Sequence, residues 1–330
     1  MRRKRTTRPL PRAIAGWFAS LALMMPTLTW AQGAEQKGAS ATPGQAASHN
    51  AHELWVPTTP LRLRPGVLPP VVYPDTARRF GAVDIVLTSL GGVAALTSAL
   101  IGPSKNGPQG GIWFDEEVRN ALRPSDFDAQ LAFRDTSDVL LGFSLAYAFI
   151  GDAMVNATWL RRSPDVGAQI ALMDAEVAAI AFGASQLTAN VVGRERPYGR
   201  TCGNELDERS SQCQTNDRHL SYFSGHSTLT FAMAAVTCAH HNALGLSGGK
   251  SWIPCLSGFT VAATTAAFRI SADMHYATDV LTGAAVGTLI GFAVPAFHYG
   301  FGRFRPRAAP TKTQISVLPS FGGVQVIGVW

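Results

Sequence analysis

Six long apolar segments limit the folds that this 330-residue chain can adopt. Between residues 76 and 299 the apolar positions follow a helical pattern, and charged residues are sparse within each segment. The segments cover residues 82–101, 136–156, 166–192, 228–242, 254–268 and 275–298. A shorter amphipathic helix is predicted over residues 114–122, and Ser137 or Asp138 is a candidate cap for the second segment. The sequence therefore predicts an all-α domain with a six-helix bundle core.

The first 31 residues have the three parts of a secretory signal. Basic residues precede an apolar run from Ala13 to about Leu28, and Thr29-Trp30-Ala31 supplies small residues for a cleavage site. This pattern predicts export to the bacterial cell envelope with cleavage near Ala31. An uncleaved membrane anchor is the alternative.

The positive charge of the chain belongs to this leader. The formal net charge is +6, but six of the 28 basic residues lie in the first 31 residues, which contain no acid. The remainder has 22 basic and 22 acidic residues. Composition therefore gives no reason to expect a nucleic-acid partner.

The regions flanking the helical domain differ from it in composition. Residues 32–75 are rich in Ala, Gly, Ser, Pro and Gln, which predicts a low-complexity linker that ends in an extended segment. Residues 76–305 form the predicted helical domain. In the tail, residues 306–330, two stretches rich in Val and Ile flank Phe321-Gly322-Gly323, which predicts a short β-hairpin-like element.

If the chain is exported, its four cysteines can form disulfides. Cys202 and Cys213 flank a polar loop, and a disulfide closing it is expected in an oxidising compartment. Cys238 and Cys255 are candidates for a second bridge or for buried free thiols. No pair has Cys-x2-Cys spacing, so no metal site is predicted.

Whether the helices cross a membrane remains open at this stage. The sixth segment has about eighteen uncharged residues, close to a spanning length. Asp84, Asp152 and Asp174 interrupt other segments and are costly in lipid. The pattern favours a bundle embedded in the inner membrane, with a soluble bundle as the alternative.

Candidate catalytic residues lie in the stretch from Arg269 to Asp279. If the last helix begins near His275, the i,i+4 spacing places His275 and Asp279 on one face. A carboxylate beside an imidazole fixes its tautomer and raises its basicity. The nearby guanidinium of Arg269 suggests an anionic substrate such as a phosphate.

Two further clusters stand at helix ends. Pro197 ends the third helix at Arg196, which leaves this guanidinium at a rim where it can reach an anion. Ser224-Gly225-His226 opens the fourth helix, where a hydroxyl, a backbone N–H and the positive end of the helix dipole suit a phosphate.

In this order and spacing, the three clusters resemble the signature of the type 2 phosphatidic acid phosphatases. That family shares a fold with vanadium haloperoxidases and bacterial class A acid phosphatases, and its signature is Lys-x6-Arg-Pro, Pro-Ser-Gly-His and Ser-Arg-x5-His-x3-Asp. Three positions depart from the signature: Ala189 replaces the lysine, Phe223 the proline and Phe268 the serine. Arg194 is a candidate to supply the missing positive charge.

The resemblance implies a division of labour in the site. His275 would be the nucleophile, Asp279 would hold its other ring nitrogen, and His226 would be the general acid and base. The implied phosphate ligands are Arg196, Arg269, Ser224 and the backbone N–H of Gly225, and neither a metal nor a cofactor is implied.

The resulting hypothesis is a phosphatase of lipid phosphates or pyrophosphates with its active site on the periplasmic side of the inner membrane. A soluble periplasmic or secreted acid phosphatase of broad specificity is the first alternative. A non-catalytic phosphate-binding relative and a vanadate-dependent haloperoxidase are the others.

Overall fold

A computed structural model describes residues 68–207 and 209–300, together with the backbone of two strands at 314–320 and 323–329. The predicted signal at residues 1–31 and most of the predicted linker lie outside the described residues.

The helical fold class is confirmed for the described residues. They form eight α-helices rather than six: α1 (Ala82–Ile101), α2 (Asp115–Leu122), α3 (Phe127–Ala146), α4 (Pro164–Val192), α5 (Ser211–Gln214), α6 (Gly225–Leu244), α7 (Trp252–Ser271) and α8 (Ala277–Tyr299). The short helices α2 and α5 account for the difference, and each apolar segment falls mainly within one long helix. A π-helix, Tyr147–Leu160, continues α3.

Two predicted helix starts were wrong. The second long helix begins at Phe127, because the side chain of Asp126 accepts a hydrogen bond from the N–H of Ala129 and caps it. Its first turns are polar, so they lie outside the apolar pattern. The last helix begins at Ala277 rather than His275.

The tail contains a pair of strands. β1 (Gln314–Ser320) and β2 (Gly323–Val329) are antiparallel, with Gln314 opposite Val329 and Ser320 opposite Gly323. The strands cover the two stretches rich in Val and Ile.

Backbone hydrogen bonds show which helix ends meet. The N–H of Ser221, just before α6, donates to the carbonyl of Arg194, just after α4, at 3.0 Å. The N–H of Ser224 donates to the carbonyl of Asp279 in α8 at 3.1 Å. The end of α4 and the starts of α6 and α8 therefore lie together, and we call this end of the bundle the site end.

The other end of the bundle is closed by the first and last helices. The N–H of Arg78, before α1, donates to the carbonyl of His298, at the end of α8, at 2.8 Å. Successive long helices run in alternate directions, so the chain enters α1 and leaves α8 at the end opposite the site end. We call this the far end.

Helix α6 is the buried centre of the bundle and packs closely on α8. Gly283, Gly287 and Gly291 place a glycine on the α8 contact face at every fourth position. A Cβ atom at Gly287 would lie 2.1 Å from the carbonyl oxygen of Thr228 in α6. Small residues at this spacing allow two helix backbones to approach closely.

Much of the outer surface of the bundle is apolar. Within the described part of the chain, five helical stretches are long and apolar enough to cross a membrane: residues 82–101, 127–160, 164–201, 252–271 and 277–299. Large apolar side chains project outward from α1, where Val83, Ile85, Leu90, Val93 and Leu96 are all exposed. Contiguous apolar surface of this kind is typical of a membrane or protein contact.

The structure joins the cysteines in two pairs. Cys202 is bonded to Cys213 at the site end, and Cys238 in α6 is bonded to Cys255 in α7.

We expect Gly287→Ala to destabilise the protein by about 1–3 kcal/mol, because the added methyl group forces α6 and α8 apart. Gly142→Ala is the matched control, since a Cβ atom there meets nothing within 4 Å. That change should be neutral or stabilise α3 by up to about 1 kcal/mol. Thermal unfolding in detergent micelles measures both, and equal unfolding temperatures for the two variants would contradict the packing argument.

Candidate active site

The three sequence clusters meet at the site end of the bundle. Arg196 follows α4, Ser224 caps α6, Arg269 lies in the last turn of α7, and His275 lies in the loop before α8. The fold therefore brings together residues that are up to about 80 positions apart in sequence.

His275 is held in one tautomer. Its side chain is buried, and Nδ1 lies 2.8 Å from the backbone carbonyl oxygen of Ser221. A carbonyl oxygen only accepts hydrogen bonds, so Nδ1 carries the proton and Nε2 keeps its lone pair. Burial, followed by the charges of Arg196 and Arg269, lowers the pKa of His275 well below its usual value. The ring is therefore neutral at neutral pH.

The predicted hydrogen bond between His275 and Asp279 is not formed. Nδ1 of His275 is 4.0 Å from Oδ2 of Asp279, because His275 precedes the helix and does not share its face. The carboxylate instead accepts from the hydroxyl of Ser221 at 2.6 Å and from the N–H of Tyr276 at 2.9 Å. Asp279 therefore acts on His275 through Ser221, the residue whose carbonyl binds the imidazole.

Arg194 does not take the place of the missing lysine. Its guanidinium is buried between two carboxylates, donating to Oδ1 of Asp279 at 2.6 Å and to Oδ2 of Asp115 at 2.8 Å. The guanidinium carbon also lies 4.3 Å from the ring centroid of Tyr276. The left-handed conformation of Gly193 ends α4 there and turns the chain, so Arg194 supports the site from behind.

Asp115 is a buried residue that the motifs did not reveal. Its carboxylate accepts from the backbone N–H and the hydroxyl of Thr278, both at 2.8 Å, and so caps the start of α8. Burial alone would raise its pKa, but the hydrogen bonds from Arg194, Ile112 and Thr278 outweigh that effect and lower it. An ionised Asp115 thus anchors α2 to the helix that follows His275.

Asp138 is a second residue that sequence reasoning missed. It was a candidate helix cap, but it lies well inside α3 and its Oδ1 is 2.7 Å from Nε2 of His226. The same oxygen accepts from NH1 of Arg269 at 3.0 Å. Asp138 therefore bridges two of the predicted site residues.

The environment of His226 disfavours its charged form. Burial and then the positive charge of Arg269 lower the pKa of His226 to about 4, against the opposing effect of Asp138. In the neutral ring, Nε2 donates its proton to the acid, because an ionised carboxylate can only accept. A second proton becomes accessible when an anion in the site offsets the charge of Arg269.

Arg196 and the start of α6 supply donors for an anion. Nε of Arg196 donates to the carbonyl of Leu220 at 3.2 Å, and no carboxylate lies within 4.0 Å of its guanidinium among residues 68–207 and 209–300. The hydroxyl of Ser224 accepts from the N–H of Ser227 at 3.4 Å, which leaves the N–H groups of Gly225 and His226 at the exposed positive end of α6.

A buried ion pair fixes the His275 loop. Nε of Arg119 in α2 donates to Oδ1 of Asp273 at 2.6 Å, and its NH2 donates to Oδ2 at 2.8 Å. NH2 also reaches the carbonyl of Pro197 at 3.3 Å. Arg119 thus connects the loop before α8 to the turn that carries Arg196.

Residues 172–303 match the sequence model of the PAP2 superfamily. This part of the chain belongs to that superfamily. The matched residues contain all three clusters, whereas Asp115, Arg119 and Asp138 lie outside them.

Two known proteins resemble parts of the chain. A lipid A 1-phosphatase of Porphyromonas gingivalis is 41% identical over 71 residues, which is 22% of this chain and only 15% of that protein. The crystal structure of the first transmembrane PAP2 type phosphatidylglycerolphosphate phosphatase from Bacillus subtilis aligns with 68% of this chain and 96% of its own, at 18% identity and a TM-score of 0.33.

Two of the three departures from the PAP2 signature are buried, and the third, Phe268, is partly buried. Ala189 lies in the last turn of α4 and is 3% exposed, so a methyl group occupies the lysine position. Phe223 is buried beside Ser224, and Phe268 packs on Phe133 with ring centroids 5.0 Å apart. Arg196 and Arg269 are therefore the guanidinium groups left to act on an anion beside His275.

Replacing Arg194 or Arg196 by glutamine should change the stability of the protein by different amounts. Arg194→Gln leaves Asp115 and Asp279 buried without their partner, and we expect a loss of about 3–5 kcal/mol of stability. Arg196→Gln removes no ion pair and should cost about 1 kcal/mol or less. Chemical unfolding in detergent micelles measures both. A similar loss for the two variants would mean that Arg194 is not the structural member of the pair.

Proposed function

We propose that this chain is a phosphatase of lipid phosphates that works through a phosphohistidine formed on His275. One observation carries the proposal: the Ser221 carbonyl holds the proton on Nδ1, so the lone pair of Nε2 is free. The charges of Arg196 and Arg269 act on the same ring. A neutral imidazole beside two guanidinium groups suits attack on an electron-poor phosphorus whose oxygens are bound by positive donors.

In the first step, Nε2 of His275 forms a bond to phosphorus as the bond from phosphorus to the leaving oxygen breaks. The leaving oxygen takes a proton from His226. The negative charge of the bound phosphate offsets the effect of Arg269 on the pKa of His226, so the imidazolium becomes accessible in the complex. Arg196, Arg269, the hydroxyl of Ser224 and the N–H groups at the start of α6 stabilise the charge on the transferring phosphoryl group.

In the second step, water attacks the phosphorus and gives a proton to His226. The bond between nitrogen and phosphorus breaks, and its electron pair returns to Nε2 of His275. Inorganic phosphate then leaves. The proton that His226 took up from solvent when the substrate bound returns to solvent, which restores the neutral resting ring.

The residues behind the histidine position it rather than react. Asp279 binds Ser221 and the start of α8, and Arg194 joins Asp279 to Asp115. These contacts fix the carbonyl that sets the tautomer of His275, so their loss would reduce the fraction of protein with a correctly oriented nucleophile.

The apolar exterior supports a lipid substrate. Exposed apolar side chains on α1 run along the bundle to the site end, where Leu100 and Ile101 are among the most exposed. A lipid whose acyl chains lie against this surface would present its phosphate near the level of the site. The names of the two relatives, which describe phosphatases of lipid A and of phosphatidylglycerolphosphate, point to the same substrate class.

The active site is proposed to face the periplasm. The bond between Cys202 and Cys213 lies at the site end, and disulfides persist in oxidising compartments. Because the helices alternate in direction, a membrane-spanning bundle with a periplasmic site has a cytoplasmic far end. The chain would then enter α1 from the cytoplasm.

This arrangement conflicts with cleavage of the leader. A signal cleaved near Ala31 delivers the following residues to the periplasm, on the wrong side of the membrane to begin α1. A cleaved leader instead fits the alternative, a soluble periplasmic phosphatase. The bond between Cys238 and Cys255, which lies toward the far end, is the observation that favours this alternative.

His275→Ala should reduce the release of phosphate from phosphatidate and phosphatidylglycerophosphate by at least roughly several hundredfold, because no nucleophile replaces the imidazole. His219→Ala, which changes a histidine outside the three clusters, is the control and should stay within about threefold of the parent. Phosphate release from lipid micelles measures both, and equal activity of His275→Ala and the parent would refute the nucleophile.

The intermediate itself can be trapped in the same preparation. In His226→Ala the second step lacks its base, so an acid-labile phosphoenzyme should accumulate with p-nitrophenyl phosphate, whose leaving group needs no proton. With p-nitrophenyl phosphate labelled in its phosphoryl group, the double variant His226→Ala with His275→Ala should carry no labelled phosphoryl group. Labelling of the double variant to the level of His226→Ala would place the phosphoryl group elsewhere.

For the membrane-spanning arrangement we expect residues 1–31 to be retained and the protein to stay in the membrane fraction after carbonate extraction. Mass spectrometry of the N-terminal peptide and fractionation test this together. Removal of the leader with release into the aqueous fraction would favour the soluble periplasmic phosphatase.

A further inference from the structure

A second group of ionisable side chains lies at the far end of the bundle, away from the phosphate site. Asp84 in α1, Glu176 in α4 and His298 in α8 are each at most 1% exposed. One side-chain nitrogen or oxygen from each residue lies within 4.8 Å of those from the other two. Along α8, His298 is about 30 Å from the start of the helix, so this cluster is separate from His275.

The tautomer of His298 leaves its lone pair facing the two acids. Nδ1 lies 2.9 Å from the backbone carbonyl of Arg78, which can only accept a hydrogen bond, so Nδ1 carries the proton of the neutral ring. Nε2 then presents a lone pair 3.5 Å from Oδ1 of Asp84 and 3.5 Å from Oε2 of Glu176. In this tautomer, three acceptor atoms converge on one point.

The hydrogen bonds of the cluster satisfy only some of these acceptors, and NH2 of Arg78 also lies 3.5 Å from Nε2 of His298. The guanidinium of Arg78 donates to both oxygens of Asp84, at 2.5 and 2.9 Å. Oε2 of Glu176 has no hydrogen-bond partner among the described residues although it is buried. Two carboxyl groups thus lie beside a single guanidinium. A buried acceptor without a donor is costly, and a bound cation would remove that cost.

We propose that Asp84, Glu176 and His298 bind a divalent transition-metal cation of the zinc type. Tetrahedral zinc with bonds of about 2.0–2.1 Å separates its ligand atoms by about 3.3–3.4 Å. The two distances of 3.5 Å from Nε2 of His298 are close to that spacing. One imidazole with two carboxylates is a donor set that suits zinc better than magnesium or calcium, which prefer oxygen ligands alone.

The surroundings of the cluster fit such a site. The Nδ1–H of His298 bonds a backbone carbonyl, which is the usual way in which a metal-binding histidine is oriented. The ring of Phe80 stacks on the imidazole at 6.4 Å between centroids. Glu176 and His298 also lie at the edge of a cleft of about 390 Å³ whose other walls are mostly apolar.

The guanidinium of Arg78 and the proposed cation would both bind the carboxylate of Asp84. Changing Arg78 therefore tests whether cation affinity rises or falls. Its side chain is 43% exposed, whereas that of Asp84 is fully buried, so the guanidinium can move outward while the carboxylate stays. Removing the guanidinium should strengthen the binding of a cation. In a purely structural ion-pair network the same change would only destabilise the protein.

The experiment is a zinc titration of the full-length chain, purified in detergent, freed of any histidine tag and stripped with a chelator. We expect one zinc per chain at saturation and an affinity that falls at least about tenfold in Glu176→Gln. Asp174→Asn is the matched control, because Asp174 is also a buried acid on α4 and binds a different histidine, His240, at 3.1 Å. It should bind zinc within about threefold of the parent.

Two further variants keep the test decisive. His275→Ala must retain the zinc, which excludes binding at the phosphate site. If Glu176→Gln does not fold, Arg78→Gln is the substitute, and it should bind zinc at least about tenfold more tightly than the parent. Absence of stoichiometric zinc in the parent, equal affinity in Glu176→Gln, or unchanged or weaker affinity in Arg78→Gln would overturn the proposal.

Discussion

The buried ion pairs of Arg194 are the interaction on which the site end of the bundle depends. This side chain joins Asp279 in α8 to Asp115 in α2, and both acids also bind backbone N–H groups around the start of α8. A charge in an apolar bundle is stable only when it is paired and its hydrogen bonds are satisfied. Arg194, which does not take the place of the missing lysine, therefore holds the start of α8 and the His275 loop in place.

The tautomer of His275, the proposed nucleophile, is set by a backbone carbonyl rather than by direct contact with Asp279. The carbonyl of Ser221 fixes the proton on Nδ1 of His275, and Asp279 holds the hydroxyl of the same serine. Because Ser221 lies between them, Asp279 can orient His275 without its carboxylate contacting the imidazole. Burial and two guanidinium groups then keep the ring neutral, as a nucleophile requires.

The sequence predicted the helical class and the cluster of histidines and arginines well, because both depend on local pattern. Apolar periodicity located the long helices, and the helix-start pattern located Ser224 and His226. The predicted end of the third helix at Arg196 was wrong, because Gly193 ends α4 after Val192. Prediction from the sequence failed where the role of a side chain depends on contacts between segments that are distant in the chain. Arg194 and Arg196 are two positions apart and look alike as letters, but only the fold shows that Gly193 turns the first toward Asp115.

The sequence did not reveal the acidic partners Asp115 and Asp138, because their contacts also join segments that are distant in sequence. A single Asp in an apolar segment reads as a cost to membrane insertion, and nothing local indicates whether a histidine or an arginine faces it. Asp138 and Asp115 bind residues that are 88 and 163 positions away, respectively. Such pairs become visible only when three-dimensional packing brings the helices together.

The bridge formed by Asp138 has a consequence for how a substrate enters. Its Oδ1 accepts hydrogen bonds from both His226 and Arg269, which are also expected to hold the phosphoryl group. In the resting protein the carboxylate of Asp138 thus occupies the position of an anion. It orients the side chains of His226 and Arg269 and satisfies their hydrogen bonds. In the proposed reaction, an arriving phosphate would take the place of this carboxylate. A doubly charged phosphate would displace it more readily than a weakly charged ester, so the resting contact would discriminate among ligands by charge.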